Sequence, residues 1–311
     1  MKNIVRKTTA LGLGLALALT ATGCNRGETS AEGGKVTMAI STLNNPFFVD
    51  VRDGAKEEAA KSGIELNVVD AQNDSATQAN QLATAATDGS VGVIINAVDS
   101  DAASAALAPV VSAKLPIVAV DRSVGETKVA SFVASDNVAG GEQAAKALAE
   151  KLGGKGKIII LEGVPGASST NERGEGFDKG LAAYPDIEVV SSQPANYDRA
   201  KALDVATNLL QGNPDVAGVL AMNDEMALGA IQALGDKAGK SVNVVGFDGT
   251  DDGFKAVASG KLLATIAQNP AELGRQSVQM AAKVLNGESV EADVAVAVDT
   301  VNAKNISEYT K

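Results

Sequence analysis

The chain of 311 residues is 45% hydrophobic and has a formal net charge of −11, with one cysteine, no tryptophan and no histidine. Its length and apolar content support about two domains with substantial cores. The missing imidazole excludes His-based acid/base catalysis, Ser-His-Asp and Cys-His nucleophiles and His-ligated metals. The acidic balance argues against nucleic acid, whose binding rests on neutralising phosphates with Lys and Arg.

Residues 1–23 read as an export signal. Lys2, Arg6 and Lys7 precede an apolar run from Ala10 to about Ala21, too short to span a bilayer. With those three bases set aside, 24 Lys and Arg face 38 Asp and Glu, so the remainder stands at −14. Cys24 follows Ala21-Thr-Gly23, a stretch that resembles a bacterial lipobox. Cys24 is therefore expected to be lipidated, and 24–34, rich in Gly, Ser and Glu, to be a flexible tether. The mature domain then has no disulfide, and its stability must come from its core.

From Val36 onward, short apolar runs alternate with helical patterns. The runs predict strands over 36–40, 64–69, 91–95, 117–120 and 129–134, then over 157–161, 187–190, 216–221, 242–247 and 262–267. Several, such as Ile158-Ile-Ile-Leu161, are continuously apolar, as suits strands buried on both faces of a parallel sheet. The segments between them are Ala-rich and amphipathic; one, Val51 to Ser62, stops at Gly63. This alternation implies βα units and an α/β fold. Length favours two sheets of about five strands, with the break near Ser135-Asp-Asn137.

Polar residues gather after the strands. After the first, Ser41-Thr-Leu-Asn-Asn-Pro-Phe-Phe48 places Pro46 at a helix start, with Asn44 or Asn45 as cap and Phe47 and Phe48 just inside. Asp121 and Arg122, Glu172 and Arg173, Asn223 and Asp224, Asp248-Gly-Thr250 and Gln268 follow later strands. Taken singly these could be turns, caps or core rings. Together they would project toward one rim of each sheet, where open α/β folds bind ligands. Carboxylates accept from hydroxyls, Arg donates in a fixed fork, amides do both, and aromatic faces cover C–H surfaces. That combination suits a sugar. The first strand–helix junction lacks G-x-G-x-x-G, and Gly163-Val-Pro-Gly166 lacks the Lys of a phosphate loop. No cofactor and no metal are expected.

The chain resembles the bacterial D-ribose-binding family, type I periplasmic-type solute-binding proteins that feed ABC transporters. The resemblance runs from Val36 to about Val301. It rests on Ser41 to Phe48, Ala134-Ser-Asp-Asn137, Glu172-Arg-Gly-Glu-Gly-Phe177, Asn223-Asp-Glu-Met-Ala-Leu-Gly229, Val244-Val-Gly-Phe-Asp-Gly-Thr250 and Ala264-Thr-Ile-Ala-Gln268. It implies sugar contacts from Asn45, Phe47, Phe48, Asp121 and Arg122 in a first lobe. From the second lobe and hinge it implies Arg173, Tyr197, Asn223, Asp248 and Gln268. The family usually has Phe where this chain has Tyr197, and the extra hydroxyl must find a partner or reach water.

The resemblance also implies two doubly wound lobes, 35–135 plus 269–297 and 136–268 plus 298–311, joined by three crossings near Ser135-Asp136, Gln268-Asn269 and Ala297 to Asp299. The expected function is capture of a monosaccharide, D-ribose or a related sugar such as another pentose, allose or a furanosyl signal molecule, without catalysis. A transporter permease is the expected partner and a chemoreceptor a further one, with the protein a monomer, exported, and either lipid-anchored or periplasmic. A regulator's effector half would need a basic helix-turn-helix in place of the leader. A sugar-modifying enzyme would have to work with Asp121 and Asp248.

Overall fold

The computed structural model describes residues 34–310. The expected export signal, Cys24 and all of the expected tether but Gly34 lie outside the described residues.

The first sheet is built from β1 (Lys35–Ile40), β2 (Glu65–Asp70), β3 (Gly92–Ile95), β4 (Ile117–Val120), β5 (Ser131–Ser135) and β11 (Asp293–Val296), in the order 11-5-4-3-1-2. The second contains β6 (Lys155–Glu162), β7 (Asp186–Pro194), β8 (Val216–Ala221), β9 (Asn243–Asp248), β10 (Ala264–Ala267) and β12 (Asp299–Asn302), in the order 12-10-9-8-6-7. Both are doubly wound, with a switch between the first strand and the third, the place where such sheets bind ligands.

The chain passes between the sheets three times. It leaves β5 through Asp136 into α4 (Asn137–Lys151), which packs on the second sheet. It returns from β10 through Gln268 and Asn269 into α9 (Pro270–Leu285), which packs on the first. Finally it runs from β11 to β12 through Ala297 and Val298. Each returning helix is capped at the crossing: Asp136 accepts from Ala139 N at 2.9 Å and Asn269 from Glu272 N at 3.2 Å. β12 enters its sheet from the cleft side and so runs antiparallel to β10, whereas every other described pair is parallel.

Twelve strands stand where the apolar pattern predicts ten, because β11 and β12 are four-residue strands at sheet edges, each with a single buried side chain. A strand buried on one face needs no continuous apolar run. For the same reason β7, an edge strand, extends through Ser191, Ser192 and Gln193 beyond its apolar start.

The helices lie close on their neighbours through glycine. In the first lobe α1 (Pro46–Lys61) meets α9, and a Cβ at Gly54 or Gly274 would run into the Ala271 or Val51 carbonyl oxygen. In the second, α4 meets α5 (Ser168–Leu181), and a Cβ at Gly141 would stand 2.5 Å from the Arg173 carbonyl oxygen. The core is correspondingly dense. Ile94, Val118, Val120 and Leu273 are fully buried in the first lobe, and Ile158, Leu161, Val219 and Phe247 in the second.

Candidate functional site

The carboxyl ends of both sheets face one cleft. After β1, Asn45 caps α1, its Oδ1 accepting from Phe47 N at 3.0 Å, and Pro46 takes the first helical position. Phe47 and Phe48 are thereby fixed at the helix start. Their rings meet edge to face, centroids 5.1 Å apart.

After β4, Asp121 has a left-handed backbone (φ 66°). This turns its carboxylate back toward β3, where Asn96 Nδ2 donates to Oδ2 at 3.0 Å. Arg122 is buried; its Nη1 donates to Ala97 O at 2.9 Å, and its guanidinium lies 5.4 Å from the Phe48 ring centroid and 5.5 Å from that of Tyr197.

The second lobe supplies the opposite wall. Arg173, on the first turns of α5, donates from Nε to Asn137 Oδ1 at 2.9 Å and stacks over Phe247 at 3.8 Å. It also stands 3.6 Å from Asp248 Oδ1. Asp248 ends β9 with φ 121°, a region that L-residues rarely occupy. Asn196 and Tyr197 are both left-handed (φ 57° and 59°) in the turn after β7. Asn223 caps α7 (Asp224–Leu234) through Oδ1, which accepts from Met226 N at 2.9 Å and leaves Nδ2 free.

Nine of the ten residues singled out from sequence line one cavity of about 210 Å³. Gln268 does not. It stands behind the wall and donates from Nε2 to Asp248 Oδ1 at 2.8 Å. Two residues escaped the sequence reading. Ser169 completes the cavity lining. Asn96, at the end of β3, ties β1 to β4 by accepting from Ser41 N at 3.2 Å while it holds Asp121. Its place after an apolar strand was the available signal. The Tyr197 hydroxyl finds its partners inside the protein, Thr170 Oγ1 at 2.9 Å and Ser169 Oγ at 3.1 Å.

The cavity balances two carboxylates against two guanidinium groups. Burial raises the Asp121 carboxyl above the usual aspartate range against the pull of Arg122 and Arg173, and raises that of Asp248 well above it against the pull of Arg173. Arg122 Nε, 3.6 Å from Asp121 Oδ2, and Asn223 Nδ2 are buried without a hydrogen-bond partner among the described residues, and both residues line the cavity. Among the described residues no group of three or more Cys, Asp or Glu could hold a metal ion, and no helix is long and apolar enough to cross a membrane.

Across the rim the lobes touch through three hydrogen bonds. Ser100 N donates to Gly166 O at 2.9 Å, Ser168 N to Ser100 Oγ at 3.0 Å, and Ser123 N to Ser168 Oγ at 3.0 Å.

Two doubly wound lobes shut over a polar, aromatic-walled cavity define a cleft-type solute-binding protein, and the chain belongs to the periplasmic binding protein domain family, which residues 36–289 match. Within it the chain is 48% identical over 261 residues to the ribose import binding protein RbsB of Salmonella typhimurium, covering 84% of this chain and 88% of that one. It is 44% identical over 296 residues to RbsB of Haemophilus influenzae, covering 95% and 98%. A periplasmic solute-binding protein of an ABC transporter from Actinobacillus succinogenes, solved with bound D-allose, superposes with a TM-score of 0.82 at 32% identity over 89% of this chain and all of that one.

Proposed function

We propose that this protein captures D-ribose in the cleft and delivers it to the permease of an ABC transporter, without catalysis. The observation that carries the reading is the pairing of walls. Phe47 and Phe48 come from one lobe and Tyr197 from the other, around a rim of Asp121, Arg122, Arg173, Asn223 and Asp248. Rings suit the C–H faces of a sugar, while carboxylates accept from vicinal hydroxyls and guanidinium and amide groups donate to its oxygens. Equal numbers of opposite charges suit a neutral ligand.

In this reading segments 35–135 plus 269–297 and 136–268 plus 298–311 move as two bodies about the three crossings. Sugar bound to one lobe gains its remaining contacts only when the other closes, so it shifts a hinge equilibrium toward the closed form. The closed form alone presents both lobes to the permease in register. Export and lipidation at Cys24 belong to the same reading. Whole-protein mass of material from the native host reads the anchor directly, and a mass without a diacylglycerol adduct rejects it.

The test is thermal melting against a panel of monosaccharides, followed by calorimetry. Ribose at 100 times its Kd should add about 2.7 kcal/mol of stability. A shift with allose or another pentose in place of ribose keeps the class and changes the ligand. No shift with any sugar overturns the proposal.

A further inference from the structure

The first turn of α5 carries three successive hydroxyls, and the structure gives each a different task. Ser168 meets the opposite lobe. Thr170 Oγ1 lies 2.8 Å from Val164 O, a carbonyl that can only accept, so the single Thr170 proton is committed there. The Tyr197 hydroxyl, 2.9 Å from Thr170 Oγ1, must then be the donor of that pair. Its own proton is now used, so at 3.1 Å from Ser169 Oγ it can only accept. The proton between them belongs to Ser169. The direction of the whole relay follows from one carbonyl: Ser169 to Tyr197 to Thr170 to Val164. All three hydroxyl-bearing residues are buried, at 2%, 9% and 8% exposure in that order, so water does not compete freely for these protons. Gly163 closes the relay from behind, since a Cβ there would run into Tyr197 Cζ and Thr170 Oγ1.

We infer that Ser169 is a direct ligand contact and that it faces the cavity as an acceptor only. Ser169 lines the cavity while its one proton points away, toward Tyr197. It therefore takes a hydrogen bond from a ligand O–H and offers none in return. A sugar carrying hydrogen, methoxy or fluorine at the facing carbon brings no proton to it and binds more weakly by that one bond. Tyr197 sets this polarity through its hydroxyl, in addition to presenting its ring. The inference rests on the proposed sugar-binding reading for the identity of the ligand, but the direction of the relay does not.

Two measurements on the full chain separate them. Neutron diffraction from deuterated crystals should show deuterons on Thr170 Oγ1 toward Val164 O, on Tyr197 toward Thr170, and on Ser169 Oγ toward Tyr197. A Ser169 deuteron aimed into the cavity, or a Tyr197 deuteron aimed at Ser169, overturns the acceptor-only assignment whatever the ligand. Calorimetry should show Ser169→Ala weakening ribose about tenfold. One monodeoxyribose should bind wild type and variant equally, because the lost hydroxyl and the lost acceptor are the same bond. Equal ribose affinity in wild type and variant overturns the contact. A wild type that binds no sugar overturns the sugar reading, and the contact with it, while the relay stands or falls on the deuterons.

Discussion

Gln268 and Asp248 are joined twice, side chain to side chain from Nε2 to Oδ1 at 2.8 Å and backbone to backbone from Gln268 N to Asp248 O at 2.9 Å. Gln268 begins the second crossing between lobes, so a cavity carboxylate is fixed directly to a hinge strand. Asp248 also has a φ of 121°. The outlier turns its carboxylate toward Arg173, in keeping with the tendency of backbone strain to gather at functional sites.

Asp248→Ala and Asp248→Gly lose the same carboxylate and differ only in tolerance of that backbone. Both should weaken ribose binding by about 2 kcal/mol or more, since sugar hydroxyls and Arg173 lose a partner. The Gly variant should nevertheless be the more stable of the two by about 1–3 kcal/mol, the reverse of the usual order. Paired denaturant melts read the difference; an Ala variant as stable as Gly would show that the backbone is unstrained.

Ser100→Ala removes the acceptor that Ser168 N uses across the rim. In an open protein that hydroxyl faces water, so the ligand-free melting temperature should hold. The closed form should lose about 1 kcal/mol, raising the ribose Kd about fivefold. Calorimetry and melting on the same sample separate the two effects, and a variant with a lower melting temperature but an unchanged Kd contradicts the idea that these bonds belong to closure.

Much of this architecture was legible from residues alone because parallel strands buried on both faces are written as unbroken apolar runs, such as Val216 to Ala221, and each hands its next polar residue to the cleft. Edge strands follow no such rule, which hid β11 and β12 among residues such as Asp293 and Asp299. Tyr197 came from the resemblance, since nothing local marks it as cavity-lining. Ser169 was invisible for a different reason. In Ser168-Ser-Thr170 it looks like helix-start chemistry, and its role depends on Tyr197, 28 residues further on. Asn96 was within reach, being the polar residue that ends the apolar run of β3.

Gly141→Ala tests how helix packing supports the site. The added methyl would stand 2.5 Å from the Arg173 carbonyl oxygen, so α5 must move, and the Arg173 guanidinium with it. Overpacking of this kind costs about 1–3 kcal/mol. The displaced arginine should also raise the ribose Kd at least about tenfold. Gly212→Ala is the control. It ends α6 (Arg199–Gly212) with no atom within 4 Å of the new methyl, so it should leave both quantities unchanged or slightly raise stability. A Gly141 variant that binds like the control would disconnect the α4–α5 contact from the site.

Acidity should stabilise this protein before it harms it. Burial raises Asp121 and Asp248, and raises Asp224 to about 6 although Thr265 Oγ1, Thr250 N and Thr250 Oγ1 all donate to it. A carboxyl raised in the folded state takes up its proton there first. Its ionisation therefore destabilises the fold at neutral pH, and stability is regained as pH falls from about 6 toward the ordinary value of 3.8. Surface carboxyls held low by hydrogen-bonded bases, such as Asp53 by Arg52 and Asp215 by Lys157, act in the opposite sense, but only once pH drops below their unfolded value, and they are screened by water. The melting temperature should therefore be higher at pH 5 than at pH 7, with about 2–4 °C for each kcal/mol regained. Asp224→Asn, which cannot titrate, should flatten part of that rise. A melting temperature that falls steadily from pH 7 to 5 would mean that the buried carboxyls are held by their donors and not governed by burial.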